Sequence, residues 1–141
     1  MLPELMLLGF AAWTLVLLIA TVGAYRLSRV FSGRAGMGAF PADQVEGQDW
    51  YKRAMRAHAN CVENLPVFAV LVVVLRACGI EHPAVDALCA AVLAARVPQS
   101  LVHVCFAQTD RVVSVRFGFF AVQLLSFCAL IAVIAASAFQ R

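Results

Sequence analysis

Long apolar runs alternate with short polar segments along this chain, and the pattern predicts four membrane-spanning helices. Crossing a hydrocarbon core as a helix takes about 20 apolar residues, which the first run reaches over residues 5–25. The second run does not, because its purely apolar part covers only residues 65–75. Part of the polar sequence ahead of it must therefore lie at membrane depth. The predicted helices span about residues 5–29, 50–78, 83–104 and 111–139.

The polar sequence that begins the second helix is itself patterned. On a helix with 3.6 residues per turn, five of its polar residues share an arc of about 100°: Arg53, Arg56, Asn60, Glu63 and Asn64. Ionisable groups near a membrane core usually face a bundle interior or a water-filled cavity. We therefore expect this face to meet a ligand or a partner charge.

The third and fourth helices carry polar positions at matching helical spacings. Arg96, Gln99 and His103 recur at i, i+3 and i+7, and Arg116 and Gln123 are seven residues apart. If the polar helix ends converge, the site is mostly cationic with one carboxylate and several amides. Such a site suits a small, mostly anionic ligand that carries an amino group, because arginine binds carboxylates, often through two hydrogen bonds.

Composition places the chain in a membrane. Of its 141 residues, 63% are hydrophobic and 13% charged, and the mean hydropathy is +0.87, whereas a soluble domain is about half apolar and a quarter charged. The net charge of +3 is small and the basic residues adjoin apolar runs, which argues against nucleic acid as a partner. The five cysteines form neither a metal-ligand spacing nor a disulfide framework, so we expect no metal site.

The distribution of basic residues predicts the orientation. Of the eleven lysine and arginine residues, two flank the third loop, Arg111 and Arg116. Six flank the first loop: Arg26, Arg29, Arg34, Lys52, Arg53 and Arg56. By the positive-inside rule the first and third loops are cytoplasmic and both termini lie outside. The sequence contains no internal repeat, and we expect a single domain over residues 1–141.

The run RAMRAHANCVENLPVF resembles the second-helix signature of the MAPEG superfamily, the membrane-associated proteins in eicosanoid and glutathione metabolism. That superfamily includes microsomal glutathione transferases, leukotriene C4 synthase and five-lipoxygenase-activating protein. The resemblance extends over the whole chain in length, number of spans and position of the second helix. It implies a four-helix bundle that assembles as a homotrimer, in a bacterial inner membrane or a membrane of the endoplasmic-reticulum type. It also implies that glutathione binds between neighbouring subunits and that a lipophilic substrate arrives from the membrane lipid.

The resemblance assigns roles to residues of the second helix. Arg53, Asn60 and Glu63 match the arginine, asparagine and glutamate that contact glutathione in the family. Asn64 stands where some members have tyrosine.

It also assigns roles on the third and fourth helices. Arg96 matches the family's third-helix arginine, and Gln99 and His103 fall where some members have tyrosines that contact glutathione. Arg116, followed by FGFF, is similar to the fourth-helix arginine that stabilises the thiolate and is the implied catalytic residue. The loop before it is longer than in leukotriene C4 synthase, so Arg111 remains a rival for that role.

The function implied by the resemblance is a glutathione-dependent transferase or peroxidase that acts on lipophilic electrophiles or lipid hydroperoxides. One alternative is a non-catalytic scaffold that binds lipid and glutathione. A second is a small proton-coupled drug exporter built on Glu63. Such an exporter usually places its acid alone in an apolar span, and the cations around Glu63 argue against it.

Overall fold

The computed structural model describes residues 1–41 and 47–139, and all regular structure in those residues is helical. The long helices there number four. They are α1 (Leu2–Phe31), α2 (Asp49–Ala77), α3 (Pro83–Cys105) and α4 (Asp110–Phe139). Each is long and apolar enough to cross a membrane. The predicted all-helical class with four spans is confirmed.

The outer surface of the bundle is apolar. Leu8, Ile19, Val73 and Leu125 each expose more than 60% of their area. A surface of this kind belongs against lipid or another protein, since a soluble monomer rarely exposes contiguous apolar patches of such extent. The helices thus fit an integral, multi-pass membrane protein.

Aromatic rings hold the centre of the bundle. The Phe68 ring of α2 lies 6.0 Å from the Phe10 ring of α1 and 6.0 Å from the Phe127 ring of α4. All three rings are buried. Apolar side chains gain little free energy by moving from lipid into a protein interior, so helices in a membrane are held together by close packing of this kind.

A π-helical turn interrupts α1. Residues Leu18–Gly23 form this turn, within which the Thr21 hydroxyl donates to the Leu17 carbonyl oxygen at 2.5 Å. The last three buried positions before it, Phe10, Thr14 and Leu17, are four and three residues apart, but the next buried residue after Leu17 is Val22. One extra residue is thus accommodated in the turn.

Both ends of α1 are fastened to α2. At one end, the Tyr25 ring stacks on the Tyr51 ring with centroids 4.1 Å apart, and Arg26 Nε donates to the Tyr51 hydroxyl at 2.8 Å. At the opposite end, Arg76 pairs with Glu4 at 2.5 Å. These contacts fix α2, whose first half carries the polar face, against α1.

Candidate functional site

An open cavity of about 310 Å³ lies among α2, α3 and α4. Polar residues of α2 and α3 form one side, and the α4 side combines Arg116 with apolar residues. The residues that line it are Asn60, Glu63, Asn64, Arg96, Gln99, Val113, Arg116, Phe117 and Phe120. Six of the eight site residues predicted from the sequence are among them.

The α2 side of the cavity is built from residues three and four apart. Asn60, Glu63 and Asn64 are neighbours on one helical face, and Asn64 Nδ2 donates to the Asn60 carbonyl oxygen at 2.7 Å. Glu63 is exposed and makes no hydrogen bond or ion pair with the residues described. Its carboxylate is therefore available to a group from outside this chain.

Arg96 of α3 lies at the inner side of the cavity and is only 1% exposed. Its Nη2 donates to the Oε1 of Gln123 on α4, and its Cζ lies 5.3 Å from the centroid of the Phe10 ring. Its Nε has no hydrogen-bond partner among the described residues, and neither does the Oε1 of the adjacent Gln99. The cavity thus contains buried polar atoms that a ligand can satisfy.

The α4 side joins a cation to aromatic rings. Arg116 is half-buried, and within the described part of the chain its guanidinium has no hydrogen bond. The next residue, Phe117, is 66% exposed, and its ring lies 6.4 Å from that of Phe120. A molecule in the cavity can therefore touch a cation and an apolar surface at once.

Arg111, the rival of Arg116, lies elsewhere. It is exposed and borders a separate, apolar cavity with Val102, Phe106 and Val115. Arg116 shares a cavity with the polar residues of α2 and α3, and Arg111 does not.

Arg53 and His103 do not line the cavity that contains Glu63 and Arg116. Arg53 Nε donates to the carbonyl oxygen of Val104 at 3.2 Å, and His103 Nε2 lies 3.2 Å from Gln108 Nε2. His103 follows Gln99 by one helical turn, and Arg53, Arg56 and Arg116 all lie close enough to act on it electrostatically. These residues therefore extend the basic region from the cavity toward one end of the bundle.

Two further residues belong to this region. The sequence placed Arg56 on the polar face, and so in the site formed if the helix ends converge, but the family resemblance gave it no contact with glutathione. It is exposed, it makes no hydrogen bond with the described residues, and it precedes Asn60 by four positions, which makes the two neighbours on α2. Gln123, the partner of Arg96, received no role from the sequence, where its sole signal was the seven-residue spacing from Arg116.

The charges around the cavity are unbalanced. It is lined by the guanidinium groups of Arg96 and Arg116 and by one carboxylate, that of Glu63. The ion pairs among the described residues all lie at the opposite end of the bundle, on Met1, Glu4, Arg76 and Glu81. Cations held away from water without a counter-ion are costly, so the cavity is suited to an anion.

Comparison with known proteins identifies one family. A family model described as the MAPEG family matches residues 4–136, which is 133 of the 141 residues. No match was found among curated proteins or among solved structures.

Proposed function

The chain belongs to the MAPEG family, and from this membership we propose that it is a membrane-bound, glutathione-dependent transferase or peroxidase. Its substrates would be lipophilic electrophiles or lipid hydroperoxides. The family as a whole acts broadly in membrane glutathione and eicosanoid chemistry. The observation that carries the proposal is the meeting of Glu63, Arg96 and Arg116, from three helices, in one cavity with an apolar side.

The charges of glutathione suit the polar side of the cavity. Glutathione carries two carboxylates, an ammonium group and a thiol. The free carboxylate of Glu63 is suited to the ammonium, and the guanidinium of Arg96 to a carboxylate. Amide groups complete the proposed binding set by hydrogen bonding to the peptide groups: those of Asn60, Asn64 and Gln99.

Arg53 and His103 would bind at the outer end of the ligand. Arg53 uses Nε for the Val104 carbonyl, which leaves the N–H groups of its two terminal nitrogens for a carboxylate. His103 contributes a ring nitrogen beside this end. Arg56 is a second candidate for the same carboxylate, because it is exposed beside Asn60 and has no partner among the described residues.

Arg116 would act on the thiol. A nearby cation lowers the pKa of a thiol and so favours the thiolate. The thiolate then attacks the electrophile, forming a sulfur–carbon bond as the leaving group departs with its electron pair. With a hydroperoxide, the thiolate attacks the terminal oxygen and releases the alcohol, and a second glutathione converts the sulfenic acid to the disulfide and water. The protein contributes positioning and electrostatic stabilisation.

The lipophilic substrate would enter past α4. Val113, Phe117 and Phe120 form the apolar side of the cavity, and Phe117 continues onto the apolar outer surface. A substrate dissolved in the bilayer can reach the thiolate along this side without crossing water.

A homotrimer would complete the site. In a single bundle the exposed Glu63 and Arg56 have no covering surface at membrane depth, and such exposure is unfavourable in lipid. A neighbouring subunit packed there supplies the cover and places each ligand between two chains. The first and third loops would face the cytoplasm, which puts the cavity at the cytoplasmic end.

The exporter alternative is disfavoured because Glu63 shares its cavity with two arginines. Between the enzyme and the non-catalytic scaffold, the deciding measurement is the ultraviolet absorbance of a thiolate when glutathione is added to detergent-purified protein at neutral pH. The enzyme requires the absorbance to rise in proportion to bound ligand. Glutathione binding without that rise would support the non-catalytic scaffold. An absence of glutathione binding would overturn both the enzyme and the scaffold.

A further inference from the structure

The guanidinium of Arg96 is buried in the bundle beside the cavity, with an amide rather than a carboxylate as its partner. Gln123 is fully buried, and its Oε1 accepts from Arg96 Nη2. Among the described residues Arg96 takes part in no ion pair. Its positive charge is therefore in direct contact with no carboxylate, although Glu63 of the same cavity acts on it electrostatically.

This arrangement fixes the guanidinium from two sides. Gln123 holds one nitrogen, and the Phe10 ring lies 5.3 Å from Cζ, a distance at which an aromatic face attracts a cation. Neither contact cancels the charge. Glutamate has nearly the same shape as glutamine and would hold the guanidinium equally well, but it would also neutralise it.

The unsatisfied atoms lie around the same contact. Arg96 Nε, Gln99 Oε1 and Gln123 Nε2 are buried without a hydrogen-bond partner in the described part of the chain. A contact that served helix packing alone would be expected to satisfy its polar atoms, because each unsatisfied buried group costs stability. Here Arg96 and Gln99 line the cavity, so their unsatisfied hydrogen-bonding atoms lie beside the space that a ligand would occupy.

We infer that Gln123 is a positioning residue, which fixes Arg96 at the inner side of the cavity while leaving its charge available to a carboxylate of the ligand. The inference rests on the proposed function for the identity of that ligand. Gln123 itself does not line the cavity and acts through Arg96. A purely structural role for Gln123 makes a different prediction, because stability and ligand affinity would then change in the same direction.

The test compares Gln123→Glu, Gln123→Leu and the control Ser126→Ala. Ser126 is buried three residues further along α4, and its hydroxyl donates to the carbonyl oxygen of Val122 on its own helix. For each purified variant we would measure the thermal midpoint without ligand, the affinity for glutathione, and the KM and kcat of conjugation. Binding of glutarate, a dicarboxylate that lacks both thiol and ammonium, would be measured in parallel.

Gln123→Glu is expected to raise the thermal midpoint of the ligand-free protein, because it places a carboxylate in direct contact with the Arg96 guanidinium. The same variant should bind glutathione about tenfold more weakly or worse, the scale of one lost charged hydrogen bond, with a raised KM and a smaller change in kcat. Gln123→Leu should lower both stability and affinity, and Ser126→Ala should leave affinity unchanged.

The inference is overturned if Gln123→Glu keeps or improves the affinity for glutathione, or if it destabilises the ligand-free protein as much as Gln123→Leu does. If the parent protein binds no glutathione, the proposed function fails instead. The inference is then tested with glutarate. It holds if Gln123→Glu weakens glutarate binding and raises the thermal midpoint, and it is overturned otherwise.

Discussion

Arg53 Nε donates to the backbone carbonyl oxygen of Val104 at 3.2 Å, and this bond joins the start of α2 to the end of α3. Val104 precedes Cys105, the last residue of α3, so its carbonyl is one of those left without a partner within the helix. A cation at this position also interacts favourably with the negative end of the helix dipole. Arg53 therefore has a structural role that its position on the polar face of α2 did not reveal.

This contact separates the roles of the two arginines on α2. Arg53→Ala should lower the free energy of unfolding by about 1.5–3 kcal/mol, the worth of a hydrogen bond from a charged group, and should also weaken glutathione binding. Arg56→Ala should leave stability unchanged and weaken binding about tenfold, since it removes one charged contact to a carboxylate. Thermal unfolding and equilibrium binding of both variants check this. An Arg56→Ala protein with parental affinity would remove Arg56 from the site.

Arg116 and Arg111 are expected to differ in catalysis. Arg116→Ala should lower the conjugation rate by roughly 10²–10³, as for the loss of one preorganised anion-stabilising donor, and should raise the pKa of the bound thiol. Affinity for glutathione should fall less. Arg111→Ala, which alters a separate apolar cavity, is the matched control and should be nearly as active as the parent. Full activity in Arg116→Ala with loss of activity in Arg111→Ala would reverse the assignment.

Glu63→Gln tests the proposed contact with the ammonium. The substitution keeps the shape of the side chain and removes its charge, so glutathione should bind about tenfold more weakly. Deaminated glutathione, which lacks the ammonium, should bind the parent and the variant equally well. Calorimetric titration of both ligands gives the four affinities. Equal losses for the two ligands would show that Glu63 acts on something other than the amino group.

The orientation can be tested by cysteine labelling. Gly36 lies in the first loop and Gly79 in the second, and neither has a neighbouring atom that a new side chain would meet. Gly79 has a φ of +64°, so a cysteine there also strains the turn, and the folding of that variant is checked by its thermal midpoint. With the native cysteines replaced by alanine, Gly36→Cys should react with an impermeant thiol reagent only from the cytoplasmic side. Gly79→Cys should react only from the other side. The reverse pattern would move the cavity to the outer leaflet.

The proposed assembly predicts a homotrimer in mild detergent, observable by native mass spectrometry. Covering Glu63 and Arg56 at a subunit interface also predicts that a cysteine at Ala59, three residues after Arg56 and four before Glu63 on the same helical face, is protected from lipid-soluble thiol reagents in the trimer. A species that stays monomeric at all concentrations while binding glutathione would contradict assembly as a requirement for the site.

Much of the site could be predicted because its residues obey helical spacing. Asn60, Glu63 and Asn64 share a face on α2 for the same reason that Arg96 and Gln99 do on α3, and local periodicity is visible in a single sequence. The four spans followed likewise from the alternation of apolar runs with short polar segments.

The remaining features depend on contacts between distant parts of the chain. Predicting that Arg53 caps α3 requires knowing where α3 ends. Predicting that Arg116 and Arg111 border separate cavities requires knowing how α4 is rotated after its loop. The pairing of Arg96 with Gln123 joins residues 27 apart. None of these relationships leaves a periodic trace in the sequence.

The π-helical turn of α1 has a consequence for every residue that follows it. Because Leu18–Gly23 absorbs one additional residue, Val22 and Tyr25 are turned inward, where the Tyr25 ring stacks on Tyr51. Regular winding of the same residues would rotate the rest of α1 by about 100° and turn its basic end away from α2, although no charged or aromatic side chain had been altered. Deleting one residue from the turn would instead give a continuous α-helix in which the residues that follow keep their faces. We therefore expect this segment to tolerate the loss of one residue far better than the gain of one.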